Sequence, residues 1–239
     1  MCVLAEFCFG GGPSSFRPRK DRDDTRTAPF IAIQNPGRPT LCCRASQLSC
    51  SLARTSRGPH TTNFLEEVWM LKTLDGKTPQ IHPTAFVSET AYLIGDVEVG
   101  EMASIWPGVV IRADSGKIKI GGYTNIQDNS ILHADWDAEI GSHTTIGHNV
   151  VCHANKVGDN CLLGNGAVLN GGCEIGNDCL VGANSTVVEG MVVPDGSLVL
   201  GTPGRVRGEL KDQHKNMIKD ATDHYVEAIP RYKASGDFE

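Results

Sequence analysis

Val157-Gly158-Asp159-Asn160-Cys161-Leu162-Leu163-Gly164-Asn165-Gly166-Ala167-Val168-Leu169 opens a run in which an aliphatic residue returns at every sixth position. The series reads Val157, Leu163, Leu169, Ile175, Val181, Val187, Val193 and Val199, eight in a row. If about a quarter of residues are aliphatic, chance gives such a run from any one chosen start with odds on the order of one in ten thousand or less. Glycine often follows the aliphatic residue, as at Gly158, Gly164, Gly176 and Gly182. Four residues after it comes a small side chain: Cys161, Ala167, Cys173, Cys179, Ser185 and Ser197, with Met191 the exception. Six is neither the helical period nor a hairpin spacing. It is the repeat of a hexapeptide β-helix, in which three hexads close one coil of about 18 residues. The aliphatic residue points inward, the small one fits the crowded interior, and the glycines permit tight corners.

Working upstream, the unit recurs with interruptions at Ile94-Gly95, Val99-Gly100, Ile105, Ile111, Ile120-Gly121, Ile126, Ile140-Gly141 and Ile146-Gly147. Ile81-His82-Pro83 is the expected opening of the coil. After Pro203-Gly204 the pattern changes. Leu210, Met217, Ile218, Ala221, Tyr225 and Ile229 recur at helical spacing and predict an amphipathic helix of about five turns packed along the coil. Pro230 is expected to end it or to lie just beyond its end. The predicted organisation is an extension over 1–69, a parallel β-helix over 70–205, and a C-terminal helix and tail over 206–239.

Residues 1–69 sustain no hydrophobic period and contain five of the nine cysteines. They hold no acidic residue from Thr25 to Leu65 while carrying arginines among Ser and Thr, which suits an organellar transit peptide. Leu65-Glu66-Glu67-Val68-Trp69-Met70 also back-translates to a ribosome-binding site ahead of a start codon. On that second reading Met70 is the expected start and the location cytoplasmic; on the first it is mitochondrial. The rest of the chain is acidic. Of 22 Lys+Arg and 28 Asp+Glu, residues 70–239 hold 13 and 22, a charge of −9 that argues against a nucleic-acid partner. No apolar run reaches the roughly 20 residues of a membrane span.

Cys161, Cys173 and Cys179 fall at the small inward position, where Ala and Ser alternate with them, so they read as packing residues rather than metal ligands. Cys152 is read the same way. Histidines carry the chemical signal. His60, His82, His143, His214 and His224 are set aside; His133, His148 and His153 remain. His148 is two residues after Ile146, and His153 two after position 151, which places both at outer corners of successive sides. A side of about five residues at roughly 3.3 Å each keeps them about 16 Å apart. Two ligands of one zinc lie far closer, given bonds of about 2.0–2.1 Å. His133 and His153 are one coil plus a short excursion apart and can stack at one corner. A third ligand, His148, is then expected from an adjacent copy, and cyclic closure makes a trimer.

Gly95-Asp96-Val97, Ser104-Ile105-Trp106, Arg112-Ala113-Asp114, Asn125-Ile126-Gln127-Asp128, Leu132-His133, Gly147-His148 and Cys152-His153 stand in the order found in one family. From about Thr78 to Tyr232 the chain resembles the γ-class carbonic anhydrases. That resemblance implies a left-handed coil, a homotrimer, and a metal held by His133 and His153 of one chain with His148 of the next. Zinc is the default ion, with iron(II) or cobalt able to use the same imidazoles. Arg112 and Asp114 are implied as an inter-subunit ion pair. Asn125 and Gln127 are implied as polar residues beside the coordinated water and bicarbonate, while Asp128 reads as structural. Three imidazoles leave an open position, and the ion lowers the pKa of bound water to about 7, which suits hydration of CO₂.

Proton export is where the chain departs from the family pattern. Ser115 follows Asp114 where the best-known members carry a glutamate. The excursion Ala134-Asp135-Trp136-Asp137-Ala138-Glu139 is short; Asp135 and Glu139 are its candidate acids, set against a plain solvated turn. Tyr225 is placed near the site by resemblance and by amphipathic packing equally well. Two other functions are carried beside the carbonic anhydrase: a weakly active or inactive scaffold subunit of the kind found in respiratory complex I, and a hexapeptide acyltransferase.

Overall fold

The computed structural model describes residues 70–235; the expectations for 1–69 lie outside them. The chain winds about seven turns of left-handed parallel β-helix and ends in one helix, α1 (Asp212–Ala234). Most strands are two residues long, as at Thr145–Ile146, Leu162–Leu163 and Leu180–Val181, because each hexad makes one short side before turning. Every residue of the aliphatic series from Val157 to Val199 lies in the buried interior, as do Cys161, Ala167, Cys173 and Cys179 between them. Burial raises the Cys152 thiol to about 11 and the Cys173 thiol to about 12, so both stay neutral and act as apolar filling.

Asparagine and glycine make the corners. Asn129, Asn149, Asn160 and Asn184 take the left-handed conformation that asparagine tolerates better than most residues. At Gly141 the reason is proximity: a Cβ there would sit 2.5 Å from the carbonyl carbon of Gly158 on the next coil.

The outward residues of the three faces differ in kind. One face carries Phe86, Ser104, Asn125, Thr145, Leu162, Leu180 and Leu198 in register and is the face on which α1 packs. Leu162 and Leu180 form a small core with Leu210 and Ile218, and Phe86 and Trp106 form another with Ala228 and Ile229. A second face alternates charge from coil to coil, Glu98, Lys119, Glu139, Lys156 and Glu174. The third carries Tyr92, Val110, Ile131, Val151 and Val168, of which Ile131 and Val151 are 44% and 42% exposed.

Coil length varies upstream. Ser104 pairs with Asn125 and Asn125 with Thr145, giving coils of 21 and 20 residues. Thr145 pairs with Leu162, giving one of 17; later coils return to 18, as from Leu162 to Leu180. All three departures fall at one corner. Extra residues bulge at 114–117 and 134–137, and Cys152 to Val157 is a side one residue short.

Three expectations are corrected. The inward residue of the first hexad pair is Leu93, not Ile94, because the strand Tyr92–Val99 alternates outward from its first residue. The inward residue before His153 is Cys152, not position 151, because the short side shifts the register and leaves Val151 outside. Pro230 neither ends α1 nor follows it. The helix runs past it to Ala234, its last turn held by Tyr232 against Trp106 and Phe86, with ring centroids 4.8 and 5.8 Å apart. Between coil and helix, Arg205–Glu209 returns antiparallel to Ser197–Leu200. Among the described residues no helix is long and apolar enough to cross a membrane.

Candidate metal centre

The irregular corner joins the third face, the apolar one that carries Ile131 and Val151, to the charged one and holds His133 and His153. Arg112 and His133 are register partners on neighbouring coils. His153 lies on the coil after that, its backbone N–H donating to Leu169. The two imidazoles stack with centroids 5.1 Å apart and planes 17° from parallel, as the one-coil spacing predicts. The carbonyl of Arg112 lies 2.9 Å from His133 Nδ1. A carbonyl only accepts, so Nδ1 carries the proton and the lone pair of His133 sits on Nε2. His153 Nε2 is buried without a hydrogen-bond partner. A buried ring nitrogen left this way costs free energy unless something fills it.

Asp135 leans over the pair. Its carboxylate oxygens approach His133 Nε2 at 3.9 Å and His153 Nε2 at 3.4 Å. One ligand atom from each of His133, Asp135 and His153 lies within 4.8 Å of the others. The donor set, two imidazoles and a carboxylate around an unfilled buried nitrogen, fits a divalent transition metal. Arg112 donates to Asp114 within the same protomer, and Asp114 also lies 3.5 Å from His133 Nδ1. Desolvation pushes the Asp114 carboxyl up, but the Arg112 guanidinium outweighs it and holds the group below the usual carboxylate range.

His148 is at the opposite edge of the apolar face and outside that cluster. Its Nδ1 is 2.9 Å from the Asp128 carboxylate, which leaves Nε2 for another partner. Beside it, Gln127 Nε2 donates to Asn125 Oδ1 at 3.0 Å, and Asn125 Nδ2 donates to Thr145 Oγ1 at 2.8 Å. Gln127 Oε1 is buried and unpartnered. The predicted residues thus separate into two half-sites. Arg112, Asp114, His133 and His153 form one; Asn125, Gln127 and His148 lie along the other.

Against known proteins, residues 156–188 match the bacterial transferase hexapeptide model and residues 138–170 the hexapeptide repeat of succinyl-transferase. The chain is 33% identical over 158 residues to "Gamma carbonic anhydrase 2, mitochondrial" of Arabidopsis thaliana, a stretch covering 63% of this chain and 57% of that one. It is 41% identical over 152 residues to the "Probable carbonic anhydrase" of Methanocaldococcus jannaschii, 62% of this chain and 96% of that one. The chain belongs to the γ-class carbonic anhydrase family. A crystal structure of a hexapeptide transferase family protein from Anaplasma phagocytophilum superposes with a TM-score of 0.65 at 31% identity, covering 68% of this chain and 97% of that one.

Two acids of this γ-class chain take more definite places than the sequence reading assigned them. Asp135, a candidate acid set against a solvated turn, has its carboxylate 3.9 and 3.4 Å from the two imidazoles; an acid two residues after His133, inside an excursion that breaks the hexad, was the available signal. Asp128, read as structural, has its carboxylate on His148 Nδ1. Tyr225 packs edge-on against Trp106, with centroids 5.1 Å apart, which ties it to the helix interface.

Proposed function

We propose that the protein is a metal-dependent carbonic anhydrase that works as a homotrimer. His133 and His153 of one protomer and His148 of the next would hold the ion, zinc by default, with iron(II) or cobalt suited to the same imidazoles. The observation that carries this reading is the stacked His133–His153 pair, with one Nδ1 fixed by a carbonyl and one Nε2 buried and unfilled. The apolar face supports the shared arrangement. It runs between the two histidine edges and leaves Ile131 and Val151 exposed. Covering it with a second copy sets the His148 edge of one protomer beside the His133–His153 edge of another, a head-to-tail contact that a rotation can close.

When bound, such an ion supplies an ionised water at neutral pH, the nucleophile that CO₂ hydration needs. The chain's own residues do the positioning. The Arg112 carbonyl and the Asp128 carboxylate fix the tautomers of His133 and His148. Gln127, held by Asn125, keeps Oε1 as a free acceptor for an O–H at the site, which suits bicarbonate. The two transferase-named family models match only the repeat, residues 138–170 and 156–188, and so speak for the coil rather than for acyl transfer.

Metal content and stopped-flow CO₂ hydration on the metal-loaded full chain test this reading, with His133→Ala and His148→Ala as variants. Loading close to one ion per chain and activity lost in both variants are expected. Metal affinity unchanged in His148→Ala refutes the shared site. No hydration with zinc, cobalt or iron(II) moves the protein to the scaffold reading.

A further inference from the structure

We propose that Asp135 is itself a ligand of the ion, so that each protomer brings a two-histidine, one-carboxylate set before any neighbour adds His148. This deepens the reading above and rests on it. Two ligands each about 2.0–2.1 Å from one ion are separated by about 2.9 Å at a right angle, about 3.4 Å at the tetrahedral angle and about 4.2 Å in line. Oδ2 of Asp135 stands 3.4 Å from His153 Nε2 and Oδ1 stands 3.9 Å from His133 Nε2, each inside that range, and one ligand atom from each of the three residues lies within 4.8 Å of the others. A modest closing of the three groups brings them onto one ion.

Chemistry points the same way. Among the described residues the ion-pair partners of Asp135 are those two imidazoles and no lysine or arginine. Its carboxylate is therefore uncommitted to any fixed cation. His133 cannot offer Nδ1, which the Arg112 carbonyl occupies, so Nε2 is the nitrogen facing Asp135. His153 Nε2 is buried and makes no hydrogen bond.

The backbone also holds the carboxylate there. The loop at 134–137 stacks on the loop at 114–117: a Cβ on Gly116 would lie 2.3 Å from the carbonyl carbon of Trp136, and Asp137 accepts from the Lys117 N–H at 2.8 Å. The excursion that breaks the hexad is thus anchored at the two residues that directly follow Asp135. Two imidazoles and a carboxylate on one face suit iron(II) and other ions that accept more than four ligands. With His148 added, such an ion still keeps a position for water, whereas a strictly four-coordinate one does not.

Cobalt(II) titration of the chelator-stripped full chain tests this, because its visible spectrum reports ligand number and type. Asp135 is 56% exposed, so Asp135→Asn and Asp135→Ala should fold normally, which far-ultraviolet circular dichroism checks. Expected is a loss of cobalt affinity of at least about tenfold in both variants. The cobalt absorption should change in both, and Asp135→Glu should restore some of it. Weaker affinity with an unchanged spectrum makes Asp135 an electrostatic neighbour and overturns its ligation, as does unchanged affinity. If His133→Ala and His153→Ala also bind cobalt normally, the metal centre itself is wrong, an outcome distinct from failure of Asp135 alone.

Discussion

Glycine-to-alanine exchange at two outer positions of the coil separates coil-to-coil proximity from backbone conformation. Neither Gly141 nor Gly171 has a positive φ, so alanine meets no conformational penalty at either. Their surroundings differ. A Cβ at Gly141 would lie 2.5 Å from the Gly158 carbonyl carbon and 2.6 Å from the Asp159 backbone nitrogen. One at Gly171 would meet nothing closer than His153 Nδ1 at 3.6 Å, an ordinary contact. Gly141→Ala must therefore push adjacent coils apart by about 1 Å. That strains the bonds from Gly141 N–H to the Val157 carbonyl and from Ser142 N–H to the Asp159 carboxylate, 2.8 and 2.6 Å long. Overpacking costs about 1–3 kcal/mol, and a weakened hydrogen bond about 0.5–1.5 kcal/mol. Gly141→Ala should then destabilise by about 2–4 kcal/mol. Gly171→Ala should be neutral or stabilise by up to about 1 kcal/mol, through the lower entropy of the unfolded chain. Urea unfolding at one fixed chain concentration, metal removed, is the assay, since association shifts apparent stability. Equal midpoints for the two variants would refute the claim that closeness of the next coil selects glycine at Gly141.

Other outcomes follow from the same structure. Ile146→Ala, emptying a fully buried inward position, should cost about 2–5 kcal/mol in the same urea assay. Trp106→Ala should cost about 3–5 kcal/mol and loosen α1. Circular dichroism should show helix lost before sheet, because Tyr225 and Tyr232 pack their rings on that indole. Asp128→Ala should weaken metal binding about 10–100-fold in chelator competition, since His148 loses the group that fixes its tautomer. The Lys117 ammonium bonds Glu98 and lowers its carboxyl below 4.5, and the same pair raises Lys117 above 10.5. A depressed carboxyl stabilises above its unfolded pKa, and that contribution disappears as pH falls through the folded value. In Glu98→Gln the melting temperature should therefore depend less steeply on pH below 4.5; an unchanged profile counts against the pair.

The interior of the coil was legible because an aliphatic side chain every sixth residue has one geometric outcome. From Val157 onward register and burial follow it without slippage. Legibility failed where the period changed. The short side between Cys152 and Val157 moves the inward position by one, and no single-residue property of Val151 or Cys152 announces it. Pro230 was misjudged because the missing hydrogen bond is a local cost, while the last turn is held by Tyr232 from a distance in sequence. The stacked pair of His133 and His153 could be inferred from one-coil spacing. The place of Asp135 could not, since it depends on two loops from successive coils lying on one another. Every irregularity of the repeat falls at the corner that carries those groups, so departures from period mark the site as surely as the period marks the core.

The strand Arg205–Glu209 has a consequence at the far end of the molecule. Stacked parallel strands end in a row of unsatisfied amides and carbonyls, a template on which further strands can grow. Here the chain lays its own last strand, reversed in direction, along Ser197–Leu200. Arg205 and Arg207 stand exposed on that strand, and charge of this kind discourages a foreign strand from docking. On that side the solenoid terminates itself, and the segment that stops it from seeding a fibre is the same one that leads the chain into α1.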